Sequence, residues 1–308
     1  MSLPSQTSGL RVLGAAAVGS LATLALLKSY QIRRVAADVA ADARVEQRKA
    51  EWQWSLVEKA KVRLRELGLF VLEAANEDQA VTLLVRSYSG ELNSQPELAL
   101  DWFLGPELRG KCDDPARVAL TRHLMLQTFR NCLANGGVAF AVPDADGNFG
   151  GVCLACPMIS EDGSQGDFLQ NPFEMPASPF SITSESDRHT KLRLEWQMDL
   201  LERLHNEFAP GPHWYIQVLA VQPACQGKGL GGRALRAVSA LADEAGVPCF
   251  LQTCGERNRS FFEREGYRAG HSRGFDLNVP GDPDPIKDPT KDSGIIQQFG
   301  MVRPALLS

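Results

Sequence analysis

The sequence lacks an excess of positive charge. Its 32 lysines and arginines are outnumbered by 37 aspartates and glutamates, and the formal net charge is −5 at pH 7. Proteins that bind nucleic acid usually carry a basic patch that neutralises phosphates. We therefore expect no nucleic-acid partner. An apolar content of 44% with 22% charged residues is ordinary for a globular protein that can bury a core.

A regular cysteine framework is also missing. The chain has seven cysteines, an odd number without regular spacing, which favours a reducing compartment for the folded part. Cys153 and Cys156 form a CxxC pair, but they lie in the apolar run GGVCLACP and no second pair accompanies them. We interpret them as buried strand cysteines and predict no metal site.

The amino terminus has no acidic residue before Asp38. Val12 to Leu27 is an uncharged run of sixteen residues, short of the ~20 that cross a bilayer comfortably. Basic residues are concentrated after this run, so an anchor would leave the rest of the chain cytoplasmic and membrane-associated. The absence of acids is instead typical of a transit peptide for a mitochondrion or plastid. Both interpretations of residues 1–28 remain open, and membrane contact through this segment is possible.

Glycine and proline are absent from Tyr30 to Leu67. Apolar residues recur there at roughly helical spacing among Arg, Glu and Lys, which predicts a long amphipathic helix ended by Gly68. We assign residues 29–68 to this helix and residues 69–308 to the main domain. The helix is interpreted as a stalk or as packed on that domain, with a membrane-surface or partner-binding role as the alternative.

Strand and helix patterns are mixed in the remainder of the chain, which favours a mixed α/β sheet flanked by helices. A hairpin is indicated by GVAFAVP and FGGVCLACP around the turn DADGN. Other predicted strands are Leu69 to Ala75, His213 to Val221, Pro248 to Cys254 and Ile295 to Pro304. Predicted helices are Glu77 to Ser89, Leu98 to Leu104, Arg117 to Ala134, Glu185 to Phe208, Gly231 to Ala245 and Glu256 to Tyr267. Residues 160–181 form a predicted long loop.

A glycine-rich loop follows the strand that ends at Val221. Several glycines at a helix start direct backbone N–H groups at one point, and the helix dipole adds attraction for an anion. Gly227, Gly229 and Gly232 match a dinucleotide-binding GxGxxG, but the acidic residue expected ~20 residues later is absent. A Walker loop needs Ser or Thr after the lysine, and Gly229 follows Lys228. The loop therefore indicates a different phosphate ligand.

The loop QGKGLG, Gln226 to Gly231, resembles the Q/R-x-x-G-x-G/A loop of the GNAT acetyltransferases, which wraps the pyrophosphate of acetyl-CoA. The resemblance extends through HWYIQVLAVQP before the loop and ERNRSFFEREGY after the next strand. It covers roughly Leu69 to Pro304 and is strongest between His213 and Tyr267. The sequence motifs HWY and QGKGLG are most similar to those of the subgroup that includes puromycin N-acetyltransferase. The resemblance implies a central mixed, mostly antiparallel sheet flanked by helices.

The resemblance also implies acetyl-CoA as co-substrate and no metal. The pantetheine arm would lie between the strands HWYIQVLAV and PCFLQTC, with the phosphates on the glycine loop. A backbone N–H of Leu219 or Ala220 would stabilise the oxyanion, and Asn258 would bind the pantetheine or acetyl end, although it also fits a helix cap. The implied cofactor-binding residues are Leu219, Ala220, Val221, Gln226, Gly227, Lys228, Gly229, Leu230, Gly231, Gly232, Asn258 and Phe261.

The catalytic residues are less well indicated. Family members often protonate the departing thiolate with the tyrosine of an N-x-x-x-Y arrangement, and this chain has Phe262 at that position. A thiol pKa of ~8.5 makes the thiolate a tolerable leaving group without full protonation. Tyr215, Tyr267 and Cys254 are candidate acids. His213 is the candidate base, because histidine titrates in the useful pH range. Glu185, Glu195 or water are the alternatives.

The resemblance implies an N-acetyltransferase that moves the acetyl group of acetyl-CoA to an amine by direct attack in a ternary complex. We favour a small-molecule amine over a protein amino group, although no motif identifies the acceptor. The first alternative is a catalytically silent CoA-binding module, for which Phe262 is the argument. A nucleotide-dependent oxidoreductase is a weaker alternative.

Overall fold

Strands and helices are mixed along the described part of the chain. The structure is a computed structural model that describes residues 53–90, 97–158, 185–271, 274–277, 279 and 296–306. The described helices are α1 (53–66), α2 (Glu77–Ser89), α3 (Leu98–Leu104), α4 (Pro115–Ala134), α5 (Glu185–Phe208), α6 (Leu230–Ala245) and α7 (Glu256–Arg264). The strands are β1 (Phe70–Leu72), β2 (Val138–Pro143), β3 (Phe149–Met158), β4 (His213–Val221), β5 (Cys249–Cys254), β6 (Arg268–Ala269), β7 (Phe275–Asp276) and β8 (Gln297–Arg303).

Several predicted features lie outside the described residues. These are the apolar segment Val12 to Leu27, the predicted helix up to residue 52, and the predicted loop over residues 160–181. Among the helices that the structure does describe, none combines the length and the apolar character needed to span a bilayer.

The helices begin and end where local chemistry provides partners for their terminal backbone groups. Helix α4 starts two residues before the predicted position, because the Asp114 carboxylate accepts the N–H groups of Ala116 and Arg117 at 2.9 and 3.4 Å. Pro115 occupies the first helical position, where a missing N–H costs nothing. Helix α6 ends at Gly246, whose φ of 67° suits glycine.

The strands form one mixed sheet in the order β1-β2-β3-β4-β5-β8-β6, and β7 also pairs with β8. The β4–β5 pair is parallel, and the other described pairs are antiparallel. Helices cover both faces, which is why β2 and β3 are buried almost throughout rather than at alternate residues. The predicted mixed, mostly antiparallel sheet with flanking helices is confirmed.

Two apolar clusters occupy the two faces of the sheet. The cluster on one face contains residues of α2, α3, α4 and α5. The cluster on the other face contains residues of α1, α6 and α7, including Val57, Ala60 and Leu64 of α1. Residues 53–308 form one compact unit. Helix α1 therefore packs on the sheet domain, and we propose that this domain begins before α1 rather than after residue 68.

Cys153 and Cys156 face opposite sides of the sheet, because strand residues three apart alternate in direction. Cys153 belongs to the cluster with α6, and Cys156 belongs to the cluster with α4, where its Sγ lies 3.7 Å from the Sγ of Cys132. Burial raises the pKa of both thiols well above the usual range. The CxxC pair cannot present two thiolates to one metal ion.

Strand β4 separates from β5 halfway along its length. The two strands pair at Trp214, Tyr215 and Ile216 and no further. On its other edge, β4 pairs with β3 through Ile216 and then Val218, which leaves Gln217 as an extra, bulged residue. A bulge bends the strand that carries it and increases its twist. The bend opens a gap between the second half of β4 and β5.

Candidate active site

The gap between β4 and β5 opens into a cavity of about 580 Å³. Its walls are the end of β4, the glycine-rich loop, the first turn of α6, the end of β5 and one face of α7. The parted strands expose backbone groups on one side, and a helix amino terminus lies on the other. Such a cavity offers both hydrogen-bonding strand edges and an anion site to an extended ligand.

The glycine-rich loop turns sharply before α6. Gly227 and Gly229 have φ angles of 76° and 80°, which favour glycine, and a Cβ at either position would meet open space. Gly229 is the N-cap of α6, and its C=O accepts the first helical bond from Arg233 at 3.0 Å. The N–H groups of residues 230–232 therefore have no acceptor within the helix. Together with the helix dipole, they could bind an anion.

Gly231 and Gly232 have a different role from the two loop glycines. A Cβ on Gly231 would lie 3.0 Å from Cζ of Phe261, and a Cβ on Gly232 would lie 2.4 Å from Oε1 of Glu265. The absence of side chains at these positions lets α6 pack closely against α7. This contact holds Phe261 against the loop at the cavity wall.

The register of β4 determines which backbone groups face the gap. The N–H of Gln222 donates to the C=O of Gly150 at 2.9 Å, which makes this a hydrogen-bonded pair of the β3–β4 ladder. Hydrogen-bonded pairs alternate along an antiparallel ladder, so Ala220 also bonds to β3. The backbone groups of Leu219 and Val221 point the other way, toward the gap. Of the two predicted oxyanion donors, only Leu219 is correctly oriented.

Val221 shows this orientation directly. Its C=O accepts the Ser87 hydroxyl at 3.1 Å and the amide Nε2 of Gln226 at 3.3 Å. Both donors line the cavity, and Gln226 is exposed. A ligand amide entering along β4 would compete with Gln226 for this carbonyl.

A second cavity of about 230 Å³ meets the first where the strands separate. Helices α3, α4 and α5 form its walls, so it lies on the opposite face of the sheet from α6. The residues that line both cavities are Tyr88, Glu97, Gln217, Gln252, Thr253 and Cys254. The gap thus connects an anion site on one face with a small cavity on the other.

Glu97 is an acid at the junction that the sequence interpretation missed. It is the N-cap of α3, and its Oε2 accepts the N–H of Leu100 at 2.7 Å. Burial raises its pKa to about 7, and the neighbouring Asp101 adds to that effect. A carboxylate with this pKa can accept a proton near neutral pH. The sequence signal was a helix cap, an acidic residue directly before LALDWFL.

Tyr215 lies at the smaller cavity, as a candidate catalytic residue should. Its hydroxyl donates to Oε1 of Gln252 at 3.0 Å, and Nε2 of Gln252 donates to the C=O of Leu201. Burial raises the pKa of Tyr215, so its hydroxyl remains protonated. The ring stacks on Phe250 with centroids 5.8 Å apart.

His213 and Tyr267 are not brought to either cavity. His213 begins β4, at the end opposite the gap, and its Nδ1 donates to the C=O of Gly211 at 2.7 Å. Its ring packs edge-on against His205, and burial lowers its pKa. Tyr267 is buried in the cluster beneath α6 and α7, where burial raises its pKa. The geometry does not support the predicted base role of His213 or acid role of Tyr267.

Helix α7 presents Asn258, Phe261 and Phe262 to the larger cavity. Gly255 is the N-cap of this helix and Asn258 is its third residue, so the interpretation of Asn258 as a cap is wrong. The Phe262 ring is 9% exposed and packs edge-on against Phe261 and Tyr267. No hydroxyl is present where the family pattern has tyrosine.

Arg233 and Lys228 differ in their surroundings. The Arg233 guanidinium donates to the C=O groups of Leu67 and Gly68 at 3.2 and 3.1 Å. It therefore caps the carboxyl end of α1, where a positive charge is favourable, rather than adding charge to the loop. Lys228 is exposed at the tip of the loop.

The segment that builds most of the larger cavity resembles a known protein family. Residues 192–267 match the acetyltransferase (GNAT) family. This range contains all of β4, the glycine-rich loop, α6, β5 and α7. The match supports the prediction that the protein is an acyltransferase enzyme, and it does not confirm the puromycin N-acetyltransferase subgroup.

Several solved structures resemble the chain at low identity. The histone acetyltransferase HPA2 and related acetyltransferase from Corynebacterium glutamicum is 19% identical to this chain. The similarity covers 78% of this chain and 98% of that chain, with a TM-score of 0.44. Arylalkylamine N-acetyltransferase 2 from Aedes aegypti is 15% identical over 77% and 98% of the two chains, with a TM-score of 0.47. Drosophila melanogaster polyamine N-acetyltransferase gives the same values. These identities and TM-scores are too low to assign the acceptor substrate of any of these enzymes to this chain.

Proposed function

We propose that the protein transfers the acetyl group of acetyl-CoA to a small-molecule amine by direct attack in a ternary complex. One observation carries the proposal: β4 and β5 part at a point where an anion site on one face of the sheet meets a small cavity on the other. A cofactor laid through the gap would expose its thioester to an acceptor in the small cavity. The site therefore favours direct transfer between two bound substrates.

The chain offers a bonding partner to each part of acetyl-CoA. The amides of residues 230–232 and the loop glycines would bind the diphosphate. The backbone of Val221 would pair with the pantetheine amides, in competition with the Gln226 side chain. Asn258 and Phe261 would border the pantetheine arm from α7. The Leu219 N–H, which points into the gap, would donate to the thioester oxygen as negative charge develops there.

The acyl transfer step requires a neutral amine. Glu97 would take the proton from the acceptor nitrogen, because its carboxylate stands at the junction of the cavities and titrates near neutrality. The nitrogen lone pair then forms the N–C bond and the C–S bond breaks. The second proton, which the nitrogen loses on becoming an amide, passes to solvent or to the departing CoA thiolate. Phe262 cannot protonate the departing CoA sulfur as a tyrosine would. A thiol pKa of ~8.5 makes the thiolate a tolerable leaving group without that acid. The Tyr215 hydroxyl is the remaining candidate donor.

A matched pair of glycine variants tests the cofactor site. Gly229 and Gly246 both have positive φ, and a Cβ at either would meet open space, but they flank opposite ends of α6. Gly229→Glu places a carboxylate beside the proposed diphosphate site, so we expect at least a tenfold loss of CoA affinity, about 1.4 kcal/mol. Gly246→Glu introduces equal backbone strain far from the loop and should retain affinity. Calorimetric titration with CoA measures both.

Equal CoA affinity in the two variants would contradict the proposed cofactor site. The reaction itself is tested by thiol release from acetyl-CoA in the presence of a panel of amines. Release that depends on amine concentration supports the transferase. Binding of CoA without any release would favour the silent module, for which the buried Phe262 in place of tyrosine is the specific observation.

A further inference from the structure

The smaller cavity is polar at one end and predominantly apolar along the rest of its wall. The end at the junction carries Glu97, at the start of α3, and the amide and hydroxyl groups of the other junction residues. The side formed by α3, α4 and α5 is predominantly apolar, with side chains that include Leu100, Phe103, Leu124 and Met198. A molecule that fills this space meets a carboxylate at one end and hydrocarbon at the other.

The size and charge of the cavity restrict the acceptor further. Its volume of about 230 Å³ is below the ~300–1,000 Å³ of typical drug-sized sites, so it suits a compact molecule. Glu97 is the residue with a formal negative charge among the described residues that line it. One carboxylate provides a partner for one ammonium group as the amine enters.

We infer that the smaller cavity binds a compact primary amine with an apolar body, whose ammonium meets Glu97 and whose hydrocarbon lies against α3, α4 and α5. The inference rests on the proposed function and names the substrate class of the same site. Such an amine is drawn to Glu97 as a cation, transfers its proton there, and is then neutral beside the thioester. The apolar wall supplies binding energy remote from the reacting nitrogen, which helps to orient that nitrogen.

A series of straight-chain amines from ethylamine to hexylamine provides the test. Each buried methylene should raise kcat/KM roughly fourfold until the cavity is filled. Putrescine has the chain of butylamine with a second ammonium, so its kcat/KM should be at least about tenfold below that of butylamine. Ethanolamine should fall below propylamine for the same reason. The measurement is initial thiol release at fixed, saturating acetyl-CoA.

Two variants on α5 connect the preference to the wall. Met198 and Gln197 are both half-buried and line the cavity, and methionine and glutamine have similar volumes. Met198→Gln should lower the ratio of kcat/KM for hexylamine to that for ethylamine by severalfold, and Gln197→Met should raise it. Glu202→Gln, an exposed change on the same helix, is the matched control and should leave the ratio unchanged.

The outcomes separate the inference from the proposed function. Thiol release with a flat or inverted dependence on chain length would overturn the inference and leave the transferase standing. If no amine causes release, the proposed function fails, and calorimetric titration of hexylamine and ethylamine into the CoA-saturated protein decides the inference. Tighter binding of hexylamine, weakened by Met198→Gln, would support the cavity assignment. Equal or undetectable binding of both amines would overturn it.

Discussion

Glu97 owes its chemistry to its surroundings. An exposed glutamate would be ionised and solvated at pH 7, and it would be a weak base there. At the junction of the two cavities, burial raises its pKa to about 7, and the N–H of Leu100 holds the carboxylate in place. The N-cap bond favours the charged form and limits the rise. Glu97 thus acts both as a helix cap and as the proposed proton acceptor.

The pH dependence of kcat/KM should show the ionisation of Glu97. Because the base must be ionised, kcat/KM should increase as pH rises through about 7 and then level until the amine itself titrates. Glu97→Gln retains an oxygen that can cap α3 but cannot take the proton. We expect it to lower kcat/KM by about 10²–10⁴ and to abolish the limb near pH 7.

Two further variants serve as controls for Glu97. Glu107→Gln changes an exposed glutamate beyond the end of α3 and should keep both the rate and the limb. Glu97→Asp should restore part of the rate with a shifted limb. A full rate and an intact limb in Glu97→Gln would remove Glu97 from the mechanism.

At the scale of elements, α3 and α4 are joined by a buried ion pair. Nη1 of Arg117 lies 2.5 Å from Oδ1 of Asp101, and Arg117 is fully buried. The pair is supported by a bond from Nη1 to the C=O of Leu108 and by one from the N–H of Gly110 to Asp101. These two helices form much of the wall of the smaller cavity, and α3 carries Glu97 at its start. The ion pair therefore helps to position the wall of the smaller cavity.

Asp101→Asn should destabilise the protein strongly. The substitution leaves the Arg117 charge buried without its counter-ion, and such losses are typically about 3–5 kcal/mol. The free energy of unfolding from urea denaturation measures the effect, provided that the m-value is unchanged. Asp113→Asn, at an exposed position near the start of α4, is the control and should change stability by less than about 0.5 kcal/mol. A similarly small loss in Asp101→Asn would show that the pair contributes little.

At the scale of the whole molecule, the sheet separates two apolar clusters and the gap connects their faces. Helix α1 packs on the same face as α6, with Val57, Ala60 and Leu64 buried. Arg233 of α6 caps the end of α1. The glycine-rich loop therefore precedes a helix whose packing depends on α1.

Truncation at two positions tests the domain boundary. A chain that begins at Gln53 retains α1 and should fold and release thiol like the full chain. A chain that begins at Leu69 loses the burial of three α1 side chains, and we expect it to be about 3 kcal/mol or more less stable. Thermal and urea unfolding of the three chains measures this. Equal stability of the two truncated chains would return the boundary to residue 68.

We propose that the amino-terminal segment determines where the protein lies in the cell, either as a membrane anchor or as a transit peptide. Fractionation of cells that carry the full chain and the chain from Gln53 separates the alternatives. A membrane anchor predicts that the full chain, and not the shorter one, sediments with membranes. A transit peptide predicts an organelle fraction that contains a shortened chain.

Sequence patterns within single segments predicted much of the fold and the side of the candidate site that the glycine-rich loop forms. The glycine loop, β4 and α7 were recognised because each is a short segment with its own turn, strand or helix chemistry. Roles that depend on the direction of a group within the fold were predicted less well. The backbone of Ala220 faces β3 instead of the gap, and His213 lies at the end of β4 that is far from the gap. Glu97 was missed, because it is separated along the chain from every other residue of the junction except Tyr88.

The sequence alone determined the order of elements, the mixed sheet and the glycine-rich turn before α6, since hydrophobic period, turn residues and helix caps act between near neighbours. Tertiary structure decided where β4 leaves β5, which backbone groups face the gap, and which acid stands beside it. Those features depend on a bulge set by pairing with β3 and on burial by helices distant in the chain. Pairing and burial are long-range effects, and burial raises the pKa of a helix-capping glutamate to about 7.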